Sequence, residues 1–178
     1  MGIMNNGGRT MEIRLLMPSD AQSYWTLRLE ALKQYPEAFS TSYEEAIKRE
    51  NPLEQVARNF TTEGNYTFGS FENKELIGVV TLLHEQSIKL YHRANIFAMY
   101  VTPTNQGLGV GKALLTAAVN QARSIKDIEK INLSVVASNE KAKQLYCKLG
   151  FKVYGIEEKA LKVNGVYYDD EHMVLHLI

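Results

Sequence analysis

Apolar and polar positions along the chain change period several times, and each change marks an element. Residues 11–17 (MEIRLLM) alternate weakly and end at Pro18, which predicts a first strand closed by a residue that cannot extend the ladder. Tyr24, Leu27, Ala31, Leu32 and Tyr35 then recur at three and four residues, so a helix capped by Ser19 or Asp20 follows and stops at Pro36. Residues 37–60 are polar, with Phe39, Tyr43, Ile47, Leu53, Val56 and Phe60 spaced for one or two short helices broken at Asn51-Pro52, and this segment is expected to be mobile. Tyr66, Phe68, Ser70 and Phe71 lead through the polar turn at 72–75 into the β-rich run 76–83, a predicted hairpin.

A third β-rich run, 94–101 (ANIFAMYV), stops at Thr102-Pro103, and a Gly-rich loop leads into a helix with Val110, Ala113, Leu114, Ala117, Ala118 and Ile125 on one face. Residues 130–136 (KINLSVV) read as a short strand, which makes a βαβ unit. Ser138 or Asn139 caps a helix over 140–149, closed by Gly150. Segments 151–163 and 166–178 flank Asn164-Gly165, whose residues tolerate the positive φ of a hairpin turn. The pattern therefore predicts a single α/β domain over residues 11–178, with residues 1–10 a disordered tail.

Composition fits an ordinary packed domain. The 178 residues are 45% hydrophobic and 22% charged, which excludes wholesale disorder. Lys plus Arg equals Asp plus Glu at 20 each, so no net field draws the chain to nucleic acid or to an anionic membrane surface. The N-terminal run lacks the apolar stretch of a signal peptide or a membrane span. Cys147 is the single cysteine and requires no oxidising compartment, so a cytoplasmic location is expected. A metal site is not expected: His172 and His176, four apart in a strand, lie about 13 Å from one another.

The loop Gln106-Gly107-Leu108-Gly109-Val110-Gly111-Lys112 carries the chemistry. It joins a strand to an amphipathic helix, where unpaired N–H groups and the positive helix end favour an anion, and glycines clear the approach. A Walker A loop needs Gly at Gln106 and Ser or Thr at Ala113, and a dinucleotide fingerprint needs a small residue at Lys112 or Leu114, so neither fits. Gln/Arg-x-x-Gly-x-Gly/Ala does fit, at Gln106, Gly109 and Gly111. Together with the strand ending at 136–139 (VASN) and Tyr146-x-x-x-Gly150-Phe151, it resembles the acetyl-CoA loop of the GNAT N-acetyltransferase superfamily.

That resemblance implies a GNAT-like fold, a mixed, mostly antiparallel sheet of about seven strands flanked by helices. It also implies acetyl-CoA as co-substrate and N-acetylation of a primary amine of a small molecule or peptide. The pyrophosphate falls to the N–H groups of Gly107, Leu108, Gly109, Val110, Gly111 and Lys112 beside Gln106. The pantetheine arm falls to the strand edge at Met99, Tyr100 and Val101, with Asn139 beside it, in a gap that opens against the strand at 130–136. A backbone N–H near Tyr100 is the expected oxyanion donor, and Tyr146 the expected acid toward the leaving thiolate.

Some family members, histone-modifying ones among them, place a glutamate base where this chain has Asn95, which cannot act as one. Glu30, His84, Glu85, His172 and water are left as candidate bases, with His92, Asp169, Asp170 and Glu171 also within range. The acidic residues of 37–60 hint at a cationic acceptor, a hint that Lys48, Arg49 and Arg58 nearly cancel. The rival readings are a non-catalytic acyl-CoA binding or sensing module, transfer of a larger acyl group, and a homodimer formed through the last strands.

Overall fold

The computed structural model describes the backbone of residues 3 and 4 and the whole of residues 10–178. Its strands are β1 (Ile3–Met4), β2 (Thr10–Leu15), β3 (Asn65–Glu72), β4 (Glu75–His84), β5 (Arg93–Val101), β6 (Lys130–Val136), β7 (Lys152–Val163) and β8 (Val166–His176). They form one sheet in the spatial order β1-β2-β3-β4-β5-β6-β8-β7, and only β5 and β6 run parallel. The α-helices are α1 (Ala21–Gln34), α2 (Tyr43–Ala46), α3 (Pro52–Thr61), α4 (Val110–Ser124) and α5 (Glu140–Lys148). Among the described residues no helix is long and apolar enough to cross a membrane.

The GNAT-like architecture expected from the sequence is present, with seven long strands and one short addition. Ile3–Met4 pairs with Met11 and Thr10, so part of the segment expected to be a disordered tail extends the sheet edge. Residues 1, 2 and 5–9 lie outside the described residues.

The central strand β4 is buried on both faces, which explains its nearly unbroken apolar run. On one side Val80 and Leu82 pack with Val110, Leu114, Leu115 and Ala118 of α4, and on the other Val79 packs with Leu27 and Ala31 of α1. Segment 37–60 forms a packed layer where a mobile stretch was expected. Ser42 caps α2 in a reciprocal box with Glu45, and Ala46 and Val56 are buried against Trp25 and Leu32. Two turns take the left-handed geometry that tightens a hairpin: Asn73-Lys74 at φ 50° and 69°, and Asn164-Gly165 at φ 49° and 83°.

The site is set by β5. Val79 faces Tyr100 while Thr81 faces Phe97, so Val80 stands opposite two residues, Ala98 and Met99. Ala98 sits in this bulge at φ 52°. On the other edge of β5 the parallel pairing with β6 runs from Arg93↔Lys130 to Asn95↔Asn132 and ends there. Beyond that point the two strands part.

One expectation for α1 is corrected. Asp20 stands just before the helix, but its carboxylate makes no cap. It accepts two bonds from Arg14, at 2.8 and 2.9 Å, and one from the Met17 N–H at 2.7 Å, pinning β2 to the start of the helix. The Arg14 hydrogen bond holds this carboxyl below the ordinary range. Its stabilisation is therefore present above the unfolded-state pKa and lost as pH falls through the folded one. Asp20→Ala should lower the melting temperature at pH 7 by about 2–6 °C, from roughly 1–2 kcal/mol of charged hydrogen bonding. Melts of both proteins should converge toward pH 3.

Candidate active site

Where β5 and β6 part, a cavity of about 370 Å³ opens. Ile96, Phe97, Ala98 and Met99 form one wall, and Leu133, Ser134, Val135 and Val136 the other. Asn139, Ala142 and Tyr146 line it from α5, Arg28, Phe39 and Ser40 from the α1 side, and Leu161 and Asp170 from the last hairpin. The gap expected for the cofactor arm is this cavity.

Beside it, the Gly-rich loop turns into α4. None of the N–H groups of residues 107–112 donates to a group of the described chain. These free donors converge on the start of a 15-residue helix whose dipole adds positive potential there. Gly107 and Gly109 adopt φ 77° and 87°, angles that L side chains resist. Gly111 is closely packed instead: a Cβ there would lie 3.2 Å from Leu145 Cδ2 and from Met99 Cε, side-chain ends that would have to shift. Gln106 donates through Nε2 to the Val101 carbonyl at 3.0 Å, which staples the loop to the end of β5 and engages that carbonyl. Of the side chains here, Leu108 is half-buried, Val110 is core and Lys112 is exposed.

Tyr146 is 6% exposed, edge-on to Phe151, with no hydrogen bond to its hydroxyl among the described residues. Burial pushes its pKa up to about 12, so the group keeps its proton at neutral pH. Tyr100 is divided between two roles. Its backbone lies just past the bulge, while its side chain turns to the other face of the sheet and donates to Glu30 at 2.7 Å. Asn139 lines the cavity and accepts from the Ala142 N–H at 3.2 Å, so it caps α5 and borders the site at once.

The candidate bases separate by position. His84 is 4% exposed, lies off the cavity, and donates through Nε2 to the Tyr91 carbonyl at 2.7 Å, which makes it a structural residue. Glu30 is engaged by Tyr100. Glu85 accepts from the Asn95 amide at 2.7 Å, so a carboxylate stands one hydrogen bond behind the cavity-lining Asn95. His172 Nδ1 lies 2.7 Å from Oγ of the cavity-lining residue Ser134, and its Nε2 lies 3.3 Å from Glu157. Only Asp170 lines the cavity itself. Its Oδ1 is buried without a partner, and desolvation raises its pKa. Among the described residues no cluster of three or more His, Cys, Asp or Glu is grouped to hold a metal.

Two features escaped the sequence reading. The bulge at Ala98 has no marker, since alanine is an unusual choice for positive φ. Arg28 had one, because it lies four after Tyr24 and three before Ala31 and so interrupts the apolar stripe of α1. The acidic hint from residues 37–60 is also redirected: Glu45 is held by Ser42 and Glu54 by Arg58, whereas the charged side chain that lines the cavity from this side is Arg28.

A parted parallel pair beside an anion-ready helix start is the frame of an acyltransferase fed by coenzyme A. The chain belongs to the GNAT acetyltransferase family, residues 13–173 matching its Acetyltransferase (GNAT) domain. Probable N-acetyltransferase YjcK of Bacillus subtilis (strain 168) is 24% identical over 176 residues, 96% of this chain and 95% of that protein. Spermidine N(1)-acetyltransferase of Escherichia coli (strain K12) is 32% identical over 93 residues, 52% of this chain, which thus spans about half (48%) of that relative's length. In fold, the yncA acetyltransferase of Salmonella typhimurium, solved with its cofactor acetyl-CoA, superposes with a TM-score of 0.79 at 20% identity, covering 94% of each chain.

The state of Asp170 is open to a stability test. Its folded-state pKa is raised, so the neutral form's advantage is complete below the unfolded-state pKa and is lost as pH rises through the folded one. Asp170→Asn should therefore melt about 1–3 °C above the wild type at pH 8 and lose that advantage toward pH 4, as followed by circular dichroism.

Proposed function

We propose that this chain transfers the acetyl group of acetyl-CoA directly to a primary amine of a small molecule or peptide within a ternary complex. The observation that carries the reading is the run of free N–H groups over 107–112, set beside a cavity lined by a buried, protonated tyrosine. Those N–H groups suit a pyrophosphate, and the unpaired reaches of β5 and β6 suit the amides of an extended arm. When bound, acetyl-CoA supplies an activated acyl carbon and a thiolate leaving group.

The chain's residues act around that carbon. Met99 and Tyr100, next to the bulge, supply the backbone N–H groups for the negative charge that builds on the acyl oxygen. Asp170, the carboxylate in the cavity wall, takes the proton the amine must lose, and the Ser134–His172–Glu157 row offers a second exit for it. Tyr146 gives its hydroxyl proton to sulfur as the C–S bond breaks. The rival binding module has no use for this last arrangement, a protonated hydroxyl at the cavity wall with no hydrogen bond among the described residues. A homodimer has a place to form: β7 is the free edge of the sheet and exposes Val153, Tyr154 and Ile156. We place the protein in the cytoplasm on its single, unpaired cysteine.

Calorimetry should show one acetyl-CoA bound per chain, and Gly109→Asp, which puts a negative side chain into a left-handed position at the helix start, should weaken that binding at least tenfold. A folded variant with unchanged affinity would refute the loop assignment.

Tyr146→Phe should lower kcat by about 10²–10³-fold while acetyl-CoA affinity and melting temperature stay close to wild type, because the hydroxyl has no hydrogen bond among the described residues. Wild-type turnover on an acceptor limited by chemistry would return Tyr146 to a packing role.

A further inference from the structure

Four buried side-chain polar atoms lack a hydrogen-bond partner among the described residues: Arg28 Nη1, Ser70 Oγ, Arg93 Nε and Asp170 Oδ1. Two of them, one on a cation and one on an anion, line the same cavity without bonding to each other. A buried polar atom left without a partner weakens the fold, and here one stands on a cation and one on an anion that form no ion pair with each other.

The surroundings keep the two charges distinct. Arg28 stacks over the Phe39 ring at 4.5 Å, which fixes its guanidinium at the cavity wall. Desolvation and the neighbouring cation Arg49 disfavour its charge, and no carboxylate relieves it. Asp170 stands opposite on β8, flanked by His172 and Glu157. Resting on the acetyltransferase reading above, we infer that the acceptor is a small amino acid whose carboxylate binds Arg28 and whose amine is received by Asp170. A plain polyamine would satisfy Asp170 but bring a further positive charge toward Arg28 and Arg49. A peptide N-terminus would bring an amide where an amino acid carries the carboxylate beside its amine. One molecule carrying both charges satisfies both orphaned atoms, and a cavity of about 370 Å³ that must also admit the acyl end leaves room only for a small one. The guanidinium fork gives the carboxylate two parallel donors, so orientation comes with affinity.

The amine arrives as an ammonium, passes one proton to the Asp170 carboxylate and attacks as the free base. The acyl carbon gains the new C–N bond and loses its C–S bond. Sulfur takes the Tyr146 proton, the amide nitrogen sheds its extra proton to restore the tyrosine, and Asp170 returns its own to solvent as the N-acetyl amino acid leaves.

The test offers the twenty standard amino acids with acetyl-CoA, then repeats each responder as its primary amide and its decarboxylated amine. Released thiol is read beside calorimetric binding of each acceptor, with and without CoA. The acid should exceed its amide and amine in kcat/KM by at least thirtyfold, and Arg28→Gln should bring acid and amide within about threefold. Arg28→Lys should keep part of the preference, and Asp170→Asn should weaken calorimetric binding of the acid. Equal use of amide and acid, a preference untouched in folded Arg28→Gln, or no binding and no turnover of any amino acid would overturn the inference. Acetylation of a polyamine instead would overturn it while sparing the acetyltransferase reading. Failure of acetyl-CoA itself to bind would remove that reading, and Arg28-dependent binding of an amino acid would then support the acceptor site alone.

Discussion

The structure depends on a failure of pairing. Parallel strands joined through a helix ordinarily hydrogen-bond along their shared length, yet β5 and β6 pair over three residues and then separate. The bulge at Ala98 accompanies the separation, because an inserted residue bends its strand and increases its twist. The candidate cavity lies in the wedge this opens. Its walls are the parted strands, α5 lines it from its N-terminal side, and α4 begins shortly after the end of β5. A left-handed alanine is held because β4 fixes the strand on its far side through Val79–Tyr100 and Thr81–Phe97.

That geometry divides the glycines and the loop side chains by role. Gly109 answers a dihedral demand, whereas Gly111 sits where a Cβ would press on Leu145 and Met99. Gln106 ties the loop to the end of β5 through the Val101 carbonyl.

Much of this was legible in the sequence, and the reason is period. Strand alternation, the stripe of α4 and the Asn164-Gly165 turn are local signals, and they placed nearly every element within a residue or two. The Gly-rich loop ahead of α4 and the place of Tyr146 on α5 were legible because glycines and a helical stripe are likewise local patterns. What could not be read was pairing across space. Nothing near Asp170 in the chain tells that its carboxylate shares a cavity with Arg28, 142 positions earlier in the sequence. His84 looked like a base by type and proved structural, since Tyr91 takes its Nε2 proton in a hydrogen bond, a contact made only once β4 and the following turn have folded. Asn95 looked like a deficiency, and its amide instead reaches Glu85.

The same desolvation acts on every ionisable group in the cavity, and it acts in one direction. Asp170 and Tyr146 are both pushed up and Arg28 is pushed down, each with burial as the leading cause, so the cavity favours neutral forms throughout. On the reading proposed above, an ammonium entering it would meet the same bias: burial lowers its pKa while that of the cavity carboxylate is already raised, so the two values would move toward one another. Asp170 would then take the proton without a base on β5, where the chain has Asn95. Arg28 stands on the other side of the same argument: its charge cannot be given up near neutral pH and it forms no ion pair with Asp170, so on the acceptor proposed above an anionic group of the entering molecule would pair with it.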